Sequence, residues 1–406
     1  MIGRLFSRFG PGILVTAAFI GPGTITTAST AGSNFGFALL WALAFSVVAT
    51  MVLQEMAARL GLVTREGLAE AMRHTLRNRW LGRASVVLVV AAVGLGNAAY
   101  EAGNIAGAAL ALASVTPWGN AFWSIAVGVG AAILLAWGRY KVLESVLIVL
   151  VLMMSAVFLL TAWVVAPPMG EMLSGLFTPT LPAGSTLTVI ALIGTTVVPY
   201  NLFLHANAVR EKWGPELPIE ESLRESRWDT GLSIGLGGLI TLAILSTAAM
   251  AFFQTGQPFA ADSLANQLEP LLGPSAHYVF AAGLFAGGLT SAITAPLAAA
   301  YAVCGALGLR QGLHQRSFQL VWILVLLTGT VFAALGSKPL TAIVFAQAAN
   351  GFLLPIVALF LLLVMNQSKL LGEHTNGLFA NILGGAVVLV AMGLGGVKLA
   401  GVFGLM

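Results

Sequence analysis

The sequence predicts an all-α integral membrane protein of eleven transmembrane helices, built as a five-plus-five inverted repeat with helices 1 and 6 unwound. Three observations predict it. The first is composition: 58% of the 406 residues are hydrophobic and only 8% charged, with a mean hydropathy of +0.93, which no soluble domain of this size shows. The second is a series of eleven apolar runs, at about 11–31, 36–61, 84–112, 119–137, 142–166, 186–209, 228–254, 276–307, 317–336, 340–365 and 377–403. The third is that the first and sixth runs are interrupted by glycine and proline. Breaks five spans apart stand in oppositely oriented helices, the pattern of inverted-repeat transporters whose site lies at mid-membrane between two broken helices.

The first span carries Phe19-Ile20-Gly21-Pro22-Gly23-Thr24 at its centre. Proline removes an amide donor and crowds the preceding turn, and the flanking glycines loosen the backbone further. In hydrocarbon, freed backbone groups are tolerated only where they line a buried or watery cavity. The short segment before it, with Arg4 and Arg8, is not expected to be a cleavable leader, because the apolar run that follows is too long and leads into further spans.

After the second span, residues 64–83 are expected to form an amphipathic helix at the membrane surface, with Leu68, Met72, Leu76 and Trp80 on one side. The third span holds Glu101, an acid near mid-membrane and so a candidate functional group. Glu55 and Arg59 have the i,i+4 spacing of a helix-face ion pair. Glu144, beside Arg139 and Lys141, and Asp229, beside Arg227, are expected in ion networks at the same end of the molecule. The sixth span is interrupted over Gly194-Thr195-Thr196-Val197-Val198-Pro199-Tyr200-Asn201. The 255–275 loop is acidic and has no Lys or Arg.

Orientation follows from the basic residues. With the N-terminus cytoplasmic and the C-terminus outside, only Lys338 and Lys398 of the 19 Lys and Arg fall outside. The expected location is thus a prokaryotic-type inner (plasma) membrane. The whole chain, 1–406, is expected to be one transmembrane domain, with a first repeat over about 11–166, a second over about 186–365, and an extra helix over about 377–403. One cysteine, Cys304, excludes a disulfide framework and a cysteine metal cluster. No His-Glu-x-x-His or Walker sequence is present, so an enzyme is not expected, nor a cofactor or nucleic-acid partner. The expected partners are the lipid bilayer and a transported small ion or solute.

Over most of its length the sequence resembles the NRAMP family of divalent-metal transporters. The first-span segment, with Thr30-Ala31-Gly32-Ser33-Asn34-Phe35-Gly36, is similar to the family's Asp-Pro-Gly-Asn and Ala-Gly-Ser-x-Phe-Gly. Gln54 and Ala58-Arg59-Leu60-Gly61 match its second span, and Val198 to His205 stands where the family has Met-Pro-His-Asn-Leu-x-Leu-His. Leu284 to Leu297 follows the Gly-Gln-Ser-Ser-Thr-Ile-Thr segment, and Gln347 with Leu354-Pro355 the tenth-span pattern. The resemblance implies a LeuT-like fold.

The departures fall on the ligands. Family members hold a transition metal with a first-span Asp and Asn, a sixth-span Met and a backbone carbonyl; here the side-chain positions are Gly21, Thr24 and Val198. The tenth-span Gln is kept as Gln347, whereas the eighth-span Gln is Leu289. What remains is neutral oxygen chemistry: carbonyls around Gly21–Gly23 and Thr195–Val198, hydroxyls of Thr24, Thr196 and Tyr200, and amides of Asn201 and Gln347. Of these, Thr24, Asn201 and Gln347 are the candidate side-chain metal ligands. The family's proton route matches Glu101 and Asn104 in the third span, Tyr200 in place of a His, and a kept His205; the ninth span has no Arg beyond Arg316.

Two cargo readings stand. The first is a divalent metal transporter of altered selectivity, for harder ions such as magnesium or manganese, with weak or absent proton coupling and room for bound water beside Gly21 and Val198. The alternative is a small organic or zwitterionic solute, bound at half-helix N-termini on the same fold with the metal site lost.

Overall fold

The computed structural model describes residues 12, 20–75, 79–138, 141–336 and 338–402, and within these it is all-α. Most of the first half of the first expected span, including Phe19, lies outside the described residues. So do Arg4, Arg8, Leu76, Arg77 and Arg139, and the side chains of Arg79, Trp80, Arg83, Lys141, Glu144 and Lys398.

In the first half of the chain the helices are α1 (Pro22–Phe35), α2 (Leu40–Thr64), α3 (Leu68–Thr75), α4 (Arg79–Val115), α5 (Asn120–Trp137), α6 (Lys141–Val165) and α7 (Met169–Phe177). In the second half they are α8 (Thr186–Thr196), α9 (Pro199–Lys212), α10 (Ile219–Ala248), α11 (Ala276–Leu307), α12 (Arg316–Leu335), α13 (Pro339–Met365) and α14 (Leu378–Val402). Among the described residues nine segments are long and apolar enough to cross a membrane. Boundaries fall close to the expected spans: the run at 276–307 is α11, and that at 340–365 is α13.

The core is a helix bundle in which α4 packs along α11, α12 and α13, and α1 lies between α10, α8 and α13. Small residues permit this closeness, as expected where lipid gives helices no hydrophobic reason to associate. A side chain on Gly194 would run into the backbone of Gln347 and Gly351, so α8 and α13 touch main chain to main chain. On the opposite faces, Trp163, Leu335 and Leu378 are exposed, as side chains turned toward lipid tails should be. Trp118, Phe122 and Trp123 form an aromatic cluster at the start of α5, with ring centroids 5.2–5.6 Å apart.

Three expectations outside the site are corrected. Of the expected amphipathic stretch, Leu68–Thr75 form α3, which packs on α11, α13 and α9. Leu68 and Met72 are buried by protein, and Ala69 faces Gly305 of α11. Its charges dock it: Glu70 accepts from Arg210, and Arg65 donates to the carbonyls of Trp213 and Gly214. Among the described contacts Asp229 is not paired with Arg227; its carboxylate accepts the backbone N–H of Gly12 at 2.6 Å. Arg227 instead meets Glu55 at 3.0 Å, on the carboxylate that also pairs with Arg59. Arg59 further donates to the carbonyls of His374 and Thr375 and to Asn376, tying α2 to the segment between α13 and α14. The 255–275 loop, finally, is not only a loop. It contains the turn Leu264–Leu268, whose buried Gln267 bonds Ser29 of α1 and Thr247 of α10.

Candidate functional site between two helix breaks

The second break is the better defined. Helix α8 stops at Thr196, Val197 (φ −93, ψ 71) and Val198 (φ −76, ψ 117) leave the helix, and α9 restarts at Pro199. The interruption is therefore two residues long, not the eight of Gly194 to Asn201. Proline explains both edges. It forces the residue before it out of the helical region, and its fixed φ and missing N–H suit the first position of the next helix. The local backbone is still partly paired, with Val197 N–H on Ile193 O at 2.8 Å and Asn201 N–H on Val198 O at 3.1 Å. At the expected first break Gly21 is extended (φ −122, ψ −169), Pro22 opens α1, and Gly21 O accepts the N–H of Ile25 at 3.1 Å, while residues 13–19 before it lie outside the described residues.

The two breaks touch through their hydroxyls. Thr24 Oγ1 and Thr195 Oγ1 are 2.9 Å apart, both buried, across 171 residues of sequence. From α13, the Gln347 carboxamide sits in the space that a Gly23 side chain would fill. Gly103 of α4 lies on its other flank, where an added Cβ would stand 3.7 Å from Gln347 Nε2. Gly107 of α4 carries Pro22 in the same way. The structure thus gathers Gly23, Thr24, Thr195 and Gln347 in one buried place. Gly21 is met from α11: a Cβ there would stand 2.8 Å from Ser291 Oγ. The room for water expected beside Gly21 is thus partly taken by a hydroxyl. Val198 is buried in the apolar core.

Several buried polar atoms here have no hydrogen-bond partner among the described residues: both ends of the Gln347 amide, both ends of the Asn201 amide, and the Thr26 and Thr27 hydroxyls. A buried amide left unpaired is destabilising by about 1–3 kcal/mol, which a bound polar group or ion would relieve.

Other expected residues sit apart from this cluster. The Thr196 hydroxyl turns back onto Leu192 O at 3.0 Å, while its carbonyl accepts from Thr50 Oγ1 at 3.3 Å. Tyr200 stacks edge-to-face on Tyr100 of α4, with ring centroids at 5.2 Å. Asn104 Nδ2 donates to Glu101 Oε2 at 3.2 Å, the other Glu101 oxygen has no partner among the described residues, and Gly329 of α12 packs on the Glu101 stem. His205 Nδ1 is 2.8 Å from Gln54 Oε1 of α2. The Glu101–Asn104 and His205–Gln54 pairs are separate, with no hydrogen bond between them among those described. Leu289 is largely buried, and its neighbour Ser291, not Leu289, meets the first break.

Ser291 and the two α4 glycines were missed by sequence reasoning. The signal for Ser291 is present in the sequence, as a hydroxyl in the span-eight segment Gly288-Leu289-Thr290-Ser291, two residues from the position where the family's amide is lost. Among the described residues there is no group of three His, Cys, Asp or Glu that could hold an ion. The chemistry on offer is neutral oxygen, from hydroxyls, amides and carbonyls, in a buried setting.

A family profile described as natural resistance-associated macrophage protein-like, Nramp, matches residues 12–400. The divalent metal cation transporter MntH of Klebsiella pneumoniae is 27% identical over 399 residues, covering 97% of this chain and 93% of its own. Among solved structures, the manganese transporter of Eremococcus coleocola superposes with a TM-score of 0.74 at 22% identity, covering 97% of this chain and 87% of that one. MhsT in complex with L-phenylalanine superposes with a TM-score of 0.63 at 15% identity, covering 96% and 98%. The fold is LeuT-like.

Proposed function

We propose, starting from the fact that the chain belongs to the Nramp family, that it is a secondary transporter of divalent metal ions whose cargo lies between the two helix breaks. The observation that carries this reading is the gathering of Thr24, Thr195 and the unpaired Gln347 amide at the junction of the breaks, beside the backbone of Gly23. A metal as cargo is supported by relatives named as divalent metal cation transporters. The donor set then selects among metals. With neither carboxylate nor thioether at the breaks, it favours a hard ion that keeps part of its water shell, magnesium first and manganese second.

Coupling to protons is weak or absent in this reading. Tyr200 is engaged with Tyr100, the acid of α4 is paired with Asn104, and α12 carries arginine only at its first residue, Arg316. Influx would then be driven by the membrane potential, worth about 2.3 kcal/mol per elementary charge per 100 mV. The chain is read as a single domain in the inner (plasma) membrane with the N-terminus cytoplasmic, on the distribution of Lys and Arg.

Thermal-shift and calorimetric titration of the purified protein with Mg²⁺, Mn²⁺, Ca²⁺ and a panel of amino acids tests the cargo. Stabilisation by Mg²⁺ and Mn²⁺ is expected. Stabilisation by an amino acid, with none by any divalent ion, overturns the metal reading. In proteoliposomes, uptake of the ion is expected without acidification of the lumen; clear acidification returns Glu101 and His205 to a proton route.

A further inference from the structure

Besides the Thr195 hydroxyl on Thr24, the first break is met from the second half of the chain by α13 and by α11. Gln347 of α13 covers Gly23. The other contact is made by α11, which lies against Ile20 and Gly21: a Cβ on Gly287 would begin 3.3 Å from Gly21 Cα and from Ile20 O. One turn further along α11, Ser291 Oγ stands where the first atom of a Gly21 side chain would be, 2.8 Å from an ideal Cβ. Ser291 is fully buried, and its own Cβ is 3.8 Å from that point, so it is the oxygen that fills the space. A serine oxygen that donates its proton to a neighbour still presents lone pairs to a cation.

We propose that Ser291 is a cargo-binding residue, its hydroxyl oxygen held by α11 against Gly21 as a ligand for the transported divalent cation at the first break. The inference rests on the reading that a divalent ion is the cargo. It gives the absent Gly21 side chain a physical reason: a side chain there and the Ser291 hydroxyl exclude one another. It also supplies a determinant of selectivity, because the donor at this point is a hard oxygen on a helix of the second half of the chain.

Isothermal titration of the full-length protein with Mg²⁺, Mn²⁺ and Cd²⁺ tests it on three forms. Wild type is expected to prefer Mg²⁺. Ser291→Ala is expected to bind Mg²⁺ about tenfold more weakly, the effect of removing one polar contact to a charged group. Ser291→Cys is expected to shift the ratio of Cd²⁺ to Mg²⁺ affinity toward Cd²⁺ by at least about tenfold, since a soft sulfur ligand selects soft ions. A hydroxyl with only a packing role would leave that ratio unmoved. A wild-type response that both variants preserve, in affinity and in ratio, overturns this inference alone. No response of wild type to any of the three ions overturns the metal reading and the inference with it. The geometric half is read without any ion. Gly21→Ala is expected to lower the melting temperature, and Gly21→Ala with Ser291→Ala to recover most of the loss, because the remaining contacts, Gly287 O at 3.6 Å and the residue-291 Cβ at 3.8 Å, are ordinary. Failure to recover also overturns the assignment.

Discussion

The first and second breaks solve the same backbone problem with opposite materials. At Gly21–Gly23 the chain has removed its side chains, and polar groups of other helices, Ser291 and Gln347, stand in the space. At Val197 and Val198 it has kept bulky apolar side chains, fully buried, and Tyr200 beside them is packed on Tyr100. A glycine break can be occupied by whatever the neighbouring helices present, whereas a valine break is walled by its own side chains. The difference places the adjustable part of the site on the first break, with the second as its fixed floor. Across the two, Thr24 and Thr195 meet hydroxyl to hydroxyl.

Substitutions can break or sharpen this contrast. The largest effect is expected at the floor. Gly194→Leu must displace the backbone of α13, so we expect destabilisation beyond about 3 kcal/mol and loss of a monodisperse peak in size-exclusion chromatography. Gly23→Ala meets the movable end of Gln347 instead, and is expected to stay folded with weakened Mg²⁺ binding. Equal folding of both variants erases the distinction between floor and adjustable break.

Next in size is Gln347→Leu. Its amide is buried without a partner among the described residues, so exchange for an apolar side chain is expected to leave the ion-free melting temperature unchanged or raised. Mg²⁺ affinity should fall by at least about tenfold. A fall in the ion-free melting temperature instead assigns Gln347 to structure. Smaller again is the Thr24–Thr195 link. A double-mutant cycle with alanine at each position, followed by thermal or denaturant unfolding, is expected to give a coupling of about 1 kcal/mol. The smallest effect is expected for Tyr200→Phe, which keeps the ring on Tyr100 and should change Mg²⁺ affinity by less than about twofold. A large loss would move the Tyr200 hydroxyl into the site.

Much of this was legible in the chain itself. Pro22 and Pro199 mark where helices start, because a missing amide and a fixed φ act locally whatever lies around them. What proline does not reveal is how far the disorder of the helix spreads. The eight-residue interruption expected in the sixth span shrinks to two, since Val197 and Asn201 still find carbonyls within reach. The site was legible in part. Gln347 follows from the family resemblance and Thr195 was expected to offer a carbonyl; the structure puts the Thr24 and Thr195 hydroxyls together and Gln347 against Gly23, whereas Thr196 turns its hydroxyl into its own helix and His205 is held by Gln54. The short helix α3 was misread for a related reason: an apolar stripe at helical spacing fits a lipid surface and a protein surface equally well, and nothing local separates them.

The sequence alone determined what depends on neighbours along the chain: which segments are apolar enough to cross a bilayer, where proline stops them, and that the acid and thioether are missing from the breaks. Tertiary structure alone decided which side chains face those breaks. Ser291 lies 270 residues from Gly21, and Gln347 lies 324 from Gly23. Whether such a pair meets depends on the rotation and depth of packed helices, and these are set by small-residue contacts such as Gly107 on Pro22 and Gly194 on Gly351. Periodicity along one helix carries no record of the partner's phase, so the surface around the breaks exists only once the helices are assembled.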